Sequence, residues 1–323
     1  MNAVHPQVIR TVPDSDHALR VAVILPCLNE AAEIAQVVAG FRKHLPAAEI
    51  HVFDNASTDN TAEVARAAGA TVHYEPRRGK GHVVCRMFRD VDADIYVMAD
   101  GDATYDPAAA TDMIDRMLTE RLDVVIGARQ HSSSAAYRPG HRFGNLVLTG
   151  FAARLFGRRL RDMMSGYRVM SRRFVKSCPL GSAGFEIETE LTLHMFQIGA
   201  PFTEIDVPYR ERSAQSASKL RTLPDGMRVL ATMLRLLVLE RPVAVFGGAG
   251  ATAILMALLM FLPVLAEFQS SGVVPRLPTL IASGTLGLGG MIAIFSGFIL
   301  SGITRTRQDM KRLAYLAQRG GAA

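Results

Sequence analysis

From Val243 to Leu265 the chain reads VAVFGGAGATAILMALLMFLPVL, and from Thr279 to Ile303 it reads TLIASGTLGLGGMIAIFSGFILSGI, with no charged residue in either run. About 20 apolar residues in a helix cross the roughly 30 Å hydrocarbon core of a bilayer, so each run is long enough to span one. A pair of buried core helices is the alternative. Two long, Gly-containing uncharged runs joined by a short loop favour a transmembrane hairpin, spanning 243–265 and 279–303. Arg228, Arg235 and Arg241 precede the first run, and Arg305, Arg307, Lys311 and Arg312 follow the second. The connecting loop from Ala266 to Pro278 carries only Glu267 and Arg276. The positive-inside rule therefore predicts an integral membrane protein with both termini and the preceding domain cytoplasmic.

The rest of the composition agrees. The N-terminal stretch MNAVHPQVIRTVPDSDHALR is polar and lacks the apolar core of a signal peptide. Cys27, Cys85 and Cys178 form no CxxC pair and are odd in number, which reads as reduced thiols rather than a disulfide frame or zinc site. A net charge of +6 and an isoelectric point near 9.5 suit contact with an anionic leaflet. Nucleic acid is not an expected partner, because zinc-finger spacing, an aromatic RNA-binding motif and tryptophan are all missing.

Residues 20–222 alternate short apolar runs with helical patterns. RVAVILP, EIHVFDN, TVHYE, DIYVMAD and LDVVIGA read as strands. Between the first two, Ile34, Val37, Val38 and Phe41 recur at helical spacing, and STDNTAEVARAAG and GKGHVVCRMFRDV read as further helices, the former with Ser57 or Thr58 as its N-cap. This cadence predicts a doubly wound, mainly parallel α/β sheet. The strands end in residues with chemistry: Pro26 with Asn29 and Glu30, Asp54 with Asn55, Glu75, Asp100-Gly101-Asp102, and Arg129. Open α/β sheets bind ligands along that edge. Asp100 and Asp102 flank a single glycine where an apolar strand runs out. An ordinary Asp-Gly turn is one reading; a pair of hard oxygen ligands for a divalent cation is the other.

The motifs VILPCLNEAAEI, DNASTDNTAEVA, RRGKGHVV, VMADGDATYDP, VIGAR, HRFGN, DMMSGYRVMSRRF and EIDVPYRERSAQSASKL stand in sequence over about 200 residues. Together they resemble the family 2 glycosyltransferases of GT-A fold, in the branch of dolichol-phosphate mannose synthase and other polyprenyl-phosphate glycosyltransferases. The resemblance implies a Rossmann-like mixed, mainly parallel catalytic domain over 20–222, after a tail at 1–19. A juxtamembrane amphipathic helix at 223–242, the two spans within 243–304 and a basic cytoplasmic tail at 305–323 would follow. It implies a nucleobase pocket lined by Pro26, Asn29, Glu30 and Asp54, and a nucleotide loop at Gly79 and Lys80, with glycines admitting the backbone close to phosphate. Asp100 and Asp102 become the DxD motif: Asp100 near the ribose and metal, Asp102 on the Mg²⁺ or Mn²⁺ that bridges the donor diphosphate. The branch often carries a glutamine ligand where this chain has Thr104; a hydroxyl, a water or Asp106 would replace it.

On the acceptor side the resemblance implies a phosphate site drawing on Arg129, Arg138, Arg142 and Arg210 with Ser218 and Lys219, and catalysis by Asp100, Asp102, Arg129 and Arg210. Guanidinium groups grip phosphate bidentately. Solvated surface arginines are the competing reading. The acceptor would be a polyprenyl phosphate, the donor a UDP- or GDP-linked sugar, and the reaction one inverting displacement. No general base is needed, because a phosphate monoester with a second pKa of about 6 is already ionised. Asp162, Glu186 and Glu188 take no assigned role; contacts to sugar hydroxyls and helix-terminus or salt-bridge positions are equally open readings. The segments FGNLVLTGFAARLFGRRL and LPDGMRVLATMLRLLVLERP have the character of interfacial helices. Gly247, Gly248 and Gly250 offer a surface for a homo-oligomer. A processive polysaccharide synthase is excluded, since its Gln-x-x-Arg-Trp motif needs a tryptophan. A membrane scaffold that binds sugar nucleotide or lipid without turnover stays open through Thr104.

Overall fold

The computed structural model describes residues 19–131, 150, 160–179, 181, 187–210, 234 and 237–318 of the 323-residue chain. The elements are β1 (Val21–Cys27), α1 (Ile34–His44), β2 (Glu49–Asp54), α2 (Thr61–Ala67), β3 (Thr71–Tyr74), α3 (Lys80–Asp90), β4 (Ile95–Met98), α4 (Ala109–Thr119) and β5 (Val124–His131). They continue with β6 (Arg168–Ser171), α5 (Arg172–Ser177), α6 (Ile187–Ile198), β7 (Phe202–Tyr209), α7 (Pro242–Ser271) and α8 (Leu277–Ala317). The chain divides into two compact units. The first takes its described residues from 1–136, 161–218 and 314–323, the second from 137–160 and 219–313.

One sheet of seven strands, in the order β3-β2-β1-β4-β6-β5-β7, organises the first unit. All neighbouring strands are parallel except β6, which runs antiparallel between β4 and β5. Strand β6, the RVMS end of the GYRVMS stretch, makes the sheet mixed. Alternation along each strand gives it two buried faces. Val23 and Leu25 of β1 and Val97 of β4 join one core cluster with Ile34, Val37, Val38 and Phe41 of α1 and Met113 and Met117 of α4. The intervening Ile24, Tyr96 and Met98 are equally buried. Against that side α3 buries Val83, Val84, Met87 and Phe88, with the Phe88 ring 6.4 Å from Tyr96. Helix α1 closes with Arg42, Lys43 and His44, cations that complement its dipole.

Helix α2 starts later than the sequence pattern suggests. Its N-cap is Asn60 rather than Ser57 or Thr58. The latter two are engaged elsewhere: Ser57 Oγ accepts from Asn29 N at 3.0 Å, and Thr58 donates to Asn29 Oδ1. Local capping propensity yields to a contact between residues 28 positions apart.

In the second unit α7 and α8 are both long and apolar enough to cross a membrane. Both outrun the uncharged segments. Helix α8 has 41 residues, about 60 Å at 1.5 Å per residue, and Arg305, Arg307, Lys311 and Arg312 ride on its continuation rather than on an extended tail. A soluble core helix would hide its apolar side chains, whereas Leu259 is 60% exposed and Phe295 62%. The two helices meet backbone to backbone. A Cβ on Gly290 would stand 2.7 Å from Gly250 O, and one on Gly250 would meet Gly290 O and the Ile294 side chain. Such small-residue crossings are how apolar helices associate in lipid. Gly250 therefore faces the chain's own hairpin instead of an outward surface, while nothing stands within 4 Å of a Cβ built on Gly248.

Candidate active site

The site lies where β1, β2, β4 and β5 end. After β1, Asn29 adopts φ 54, a left-handed conformation that asparagine tolerates better than most residues. Its side-chain oxygen accepts from Thr58 N at 2.8 Å. The buried Glu30 donates its backbone N–H to Thr61 Oγ1 at 2.9 Å. Pro26 is partly buried in β1, in register with Phe53 of β2. One residue on, Asp54 ends β2 with its carboxyl buried, and its Oδ1 has no hydrogen-bond partner among the described residues. A buried acceptor without a donor costs roughly 1–3 kcal/mol, so this oxygen is suited to a ligand N–H.

Asn55, adjacent in sequence, organises the next loop. Its Nδ2 donates to Arg77 O at 2.7 Å and Glu75 O at 3.2 Å, while its Oδ1 accepts from Gly79 N at 2.7 Å. Gly79 sits at φ 128, a conformation closed to other residues, and α3 begins at Lys80. Glu75 is buried beneath the loop. Burial alone would raise its carboxyl, but hydrogen bonds from the Arg77 backbone and guanidinium, with Arg86 nearby, outweigh that and hold it below its ordinary value.

Asp100 and Asp102 follow β4. Gly101 between them is obligatory because a Cβ there would collide with Cys27 Sγ. Asp102 is 4% exposed, and its Oδ1 accepts from Thr104 Oγ1 at 2.6 Å and Thr104 N at 3.2 Å. The fully buried Thr104 hydroxyl is thus directed at Asp102. Asp106 accepts from Ala108 N at 3.0 Å, inside the turn that leads to α4. Lys80 Nζ stands 2.6 Å from Asp100 Oδ1 and 2.5 Å from Glu188 Oε1. Burial would depress this lysine, but the two carboxylates outweigh it and keep the ammonium well above its usual range. On the other side of Asp100, a Cβ on Gly166 would come within 2.9 Å of Oδ2, so a larger residue there would push the Asp100 carboxylate aside.

Among the described residues no three His, Cys, Asp or Glu side chains are grouped to cage a metal ion. A cation of the Mg²⁺ type needs only one or two carboxylates and completes its shell with water and substrate phosphate. The hard oxygens of Asp100 and Asp102 fit that requirement.

At the end of β5, Arg129 makes a bidentate pair with Asp162, Nε to Oδ2 at 2.6 Å and NH2 to Oδ1 at 2.8 Å. Its guanidinium also stands 5.6 Å from the centre of the Tyr209 ring. Asp162, which the sequence left open between a sugar contact and a salt bridge, forms the ion pair that aims Arg129. Arg210 follows β7 with an exposed side chain, its backbone N–H donating to Thr104 O at 2.8 Å. Behind these residues Tyr105 packs against Tyr167 and Tyr209, and its hydroxyl accepts from Gly166 N. Arg138, Arg142, Ser218, Lys219 and Glu186 lie outside the described residues, as do most of the segments read as interfacial helices.

Two functional elements were not legible in advance. Asn55 stood out beside Asp54 at a strand end, but its part in shaping the Gly79 loop was not readable. Arg168 sat unremarked inside the GYRVMS motif. It is fully buried and donates to Ser165 O, Met163 O, Glu188 O and Thr192 Oγ1, while its NH1 has no partner among the described residues.

A mainly parallel sheet with one antiparallel strand and these residues along one edge has the architecture of a GT-A fold. Residues 22–178 match the glycosyl transferase family 2 model. The chain is 32% identical over 304 residues to glycosyltransferase AglJ of Haloferax volcanii, a match covering 92% of this chain and 98% of the relative. This protein belongs to glycosyltransferase family 2. It is also 26% identical over 220 residues to the dolichyl-phosphate hexose transferase of the same organism, covering 68% of this chain and 95% of that one. Among solved structures, glucosyl-3-phosphoglycerate synthase from Mycobacterium tuberculosis, in complex with Mn²⁺, UDP and phosphoglyceric acid, superposes with a TM-score of 0.54. The identity is 25%, with coverage of 67% of this chain and 78% of that one.

Proposed function

We propose that this enzyme transfers a sugar from a UDP- or GDP-sugar to a polyprenyl phosphate, with its catalytic domain and both termini on the cytoplasmic side. The observation that carries the reading is the single sheet edge holding Asp54, Lys80, Asp100, Asp102 and Arg129, in a chain similar along nearly its whole length to AglJ. Its similarity to a dolichyl-phosphate hexose transferase and its two apolar helices support a lipid acceptor.

In this reading Asp54 Oδ1 accepts a ring N–H of the base, which both uracil and guanine present, and Pro26, Asn29 and Glu30 border the same pocket. Gly79 lets the backbone approach the diphosphate. Asp100 and Asp102 hold Mg²⁺ or Mn²⁺, which supplies Lewis-acid neutralisation of charge on the leaving nucleotide. Thr104 orients Asp102 through its hydroxyl. Arg129, aimed by Asp162, receives the acceptor phosphate together with Arg210, Arg138, Arg142, Ser218 and Lys219. A phosphate monoester is already anionic at neutral pH, so these residues act by positioning and by electrostatic attraction, and none has to remove a proton.

The test uses full-length protein in detergent with undecaprenyl phosphate, Mg²⁺ or Mn²⁺ and a panel of UDP- and GDP-sugars, with glycolipid detected by mass. A metal-dependent glycolipid from one donor supports the reading. Transfer only to a soluble phosphate such as 3-phosphoglycerate, or nucleotide binding without product, overturns it. Orientation is tested separately with a cysteine placed at Gly272, in the loop between α7 and α8. Labelling by an impermeant thiol reagent from outside intact cells is expected, and protection from it overturns the assigned topology.

A further inference from the structure

Glu188 belongs to a part of the chain remote from the strand ends, yet its carboxylate reaches Lys80 at 2.5 Å and is nearly as buried as Asp102. The first turn of α6, which carries Glu188, is held by Arg168, whose NH2 donates to Glu188 O at 3.1 Å and Thr192 Oγ1 at 2.9 Å. A continuous chain of contacts thus runs from β6 through Arg168, Glu188 and Lys80 to Asp100. Lys80 gives one positive charge to two carboxylates.

We propose that Glu188 is a positioning residue of the donor site: by sharing Lys80 with Asp100 it preserves the negative charge that the carboxylate pair needs to hold a divalent cation. The proposal rests on the donor-site reading given above. If Lys80 paired with Asp100 alone, its ammonium would largely cancel that carboxylate and compete with the cation for it. With Glu188 taking part of the lysine's charge, more of the Asp100 charge stays available to a cation, and a buried ammonium is kept beside the diphosphate position. The carboxylate of Glu188 need not touch substrate for this. The neutral, isosteric glutamine keeps an oxygen for Lys80 and removes only the charge.

The experiment titrates full-length protein in detergent with Mn²⁺, with and without UDP, and reads free Mn²⁺ by electron paramagnetic resonance. The variants are Glu188→Gln, Lys80→Gln and the double variant, each checked by thermal unfolding. Removing one charge several ångströms from a divalent ion in a partly solvated site is expected to weaken Mn²⁺ binding about tenfold in E188Q. Lys80→Gln shifts Mn²⁺ affinity the opposite way while weakening UDP. The double variant regains parent-like Mn²⁺ affinity, because its net charge equals the parent's. A purely structural role for Glu188 predicts no such recovery. Equal Mn²⁺ affinity in parent and E188Q, or a double variant no better than E188Q, overturns the role of Glu188 alone. Failure of the parent to bind Mn²⁺ in the presence of UDP overturns both this role and the donor-site reading. If E188Q does not fold, the opposite shift in Lys80→Gln and the parent-like double variant still decide the matter.

Discussion

Replacing Asp102 by asparagine separates what its charge does from what its shape does. Asp102 is almost wholly buried, and its Oδ1 is the acceptor for both the amide and the hydroxyl of Thr104. An asparagine oxygen accepts both hydrogen bonds, so Asp102→Asn is expected to leave stability within about 1 kcal/mol of the parent. Asp102→Ala strands two buried donors of Thr104 and is expected to cost about 2–4 kcal/mol, taking roughly 1–2 per unpaired group. Transfer should respond differently. Both variants lose a hard anionic ligand for the cation, whose charge neutralisation is worth several kcal/mol in the transition state. At 1.36 kcal/mol per decade, about 4 kcal/mol is close to a thousandfold in rate. The assay is glycolipid formation at saturating Mn²⁺ beside a thermal melt of each variant. Asp102→Asn retaining activity within tenfold of the parent would refute the metal role. Equal melting losses in the two variants would refute the hydrogen-bonding argument.

Three further outcomes follow from the geometry. Asp162→Asn leaves the Arg129 guanidinium, 19% exposed, without its carboxylate and is expected to cost about 2 kcal/mol; in the acceptor-site reading it raises KM for polyprenyl phosphate while UDP affinity, measured by calorimetry, stays constant. Glu75 titrates below its ordinary value of 4.5. The stability it contributes is therefore complete above pH 4.5 and lost as pH falls through its folded-state value. Melting curves should accordingly show Glu75→Gln less stable than the parent at pH 7, with the gap closing as pH falls below 4.5; a gap that widens in acid contradicts the sign. In the hairpin, Gly290→Val forces a side chain against Gly250 O and is expected to destabilise the detergent-solubilised protein by about 1–3 kcal/mol. Gly289→Val meets nothing within 4 Å and is expected to leave the melt unchanged, so equal effects from the two would refute the crossing point.

Features set by local pattern were readable from the residue order. The uncharged runs at 243–265 and 279–303 became helices because composition and length alone decide which segments lipid tolerates. Strands β1 to β5 followed from their apolar runs and turn residues. The carboxylate pair at Asp100 and Asp102 stood out because its spacing lies within three residues. Features set by partners distant in the chain were not readable. Ser57 and Thr58 resemble helix caps in isolation, but Asn29 takes their hydrogen bonds. Arg168 drew no reading of its own within its motif, yet it is buried with the first turn of α6 bound to it. Asp162 and Glu188 had no role until folding brought them to Arg129 and Lys80, 33 and 108 positions away in sequence. Sequence alone determined which residue types stand at the strand ends and where apolar helices form. The tertiary structure decided which charge faces which, because the burial and orientation that give an ion pair its strength arise only when separate elements pack together.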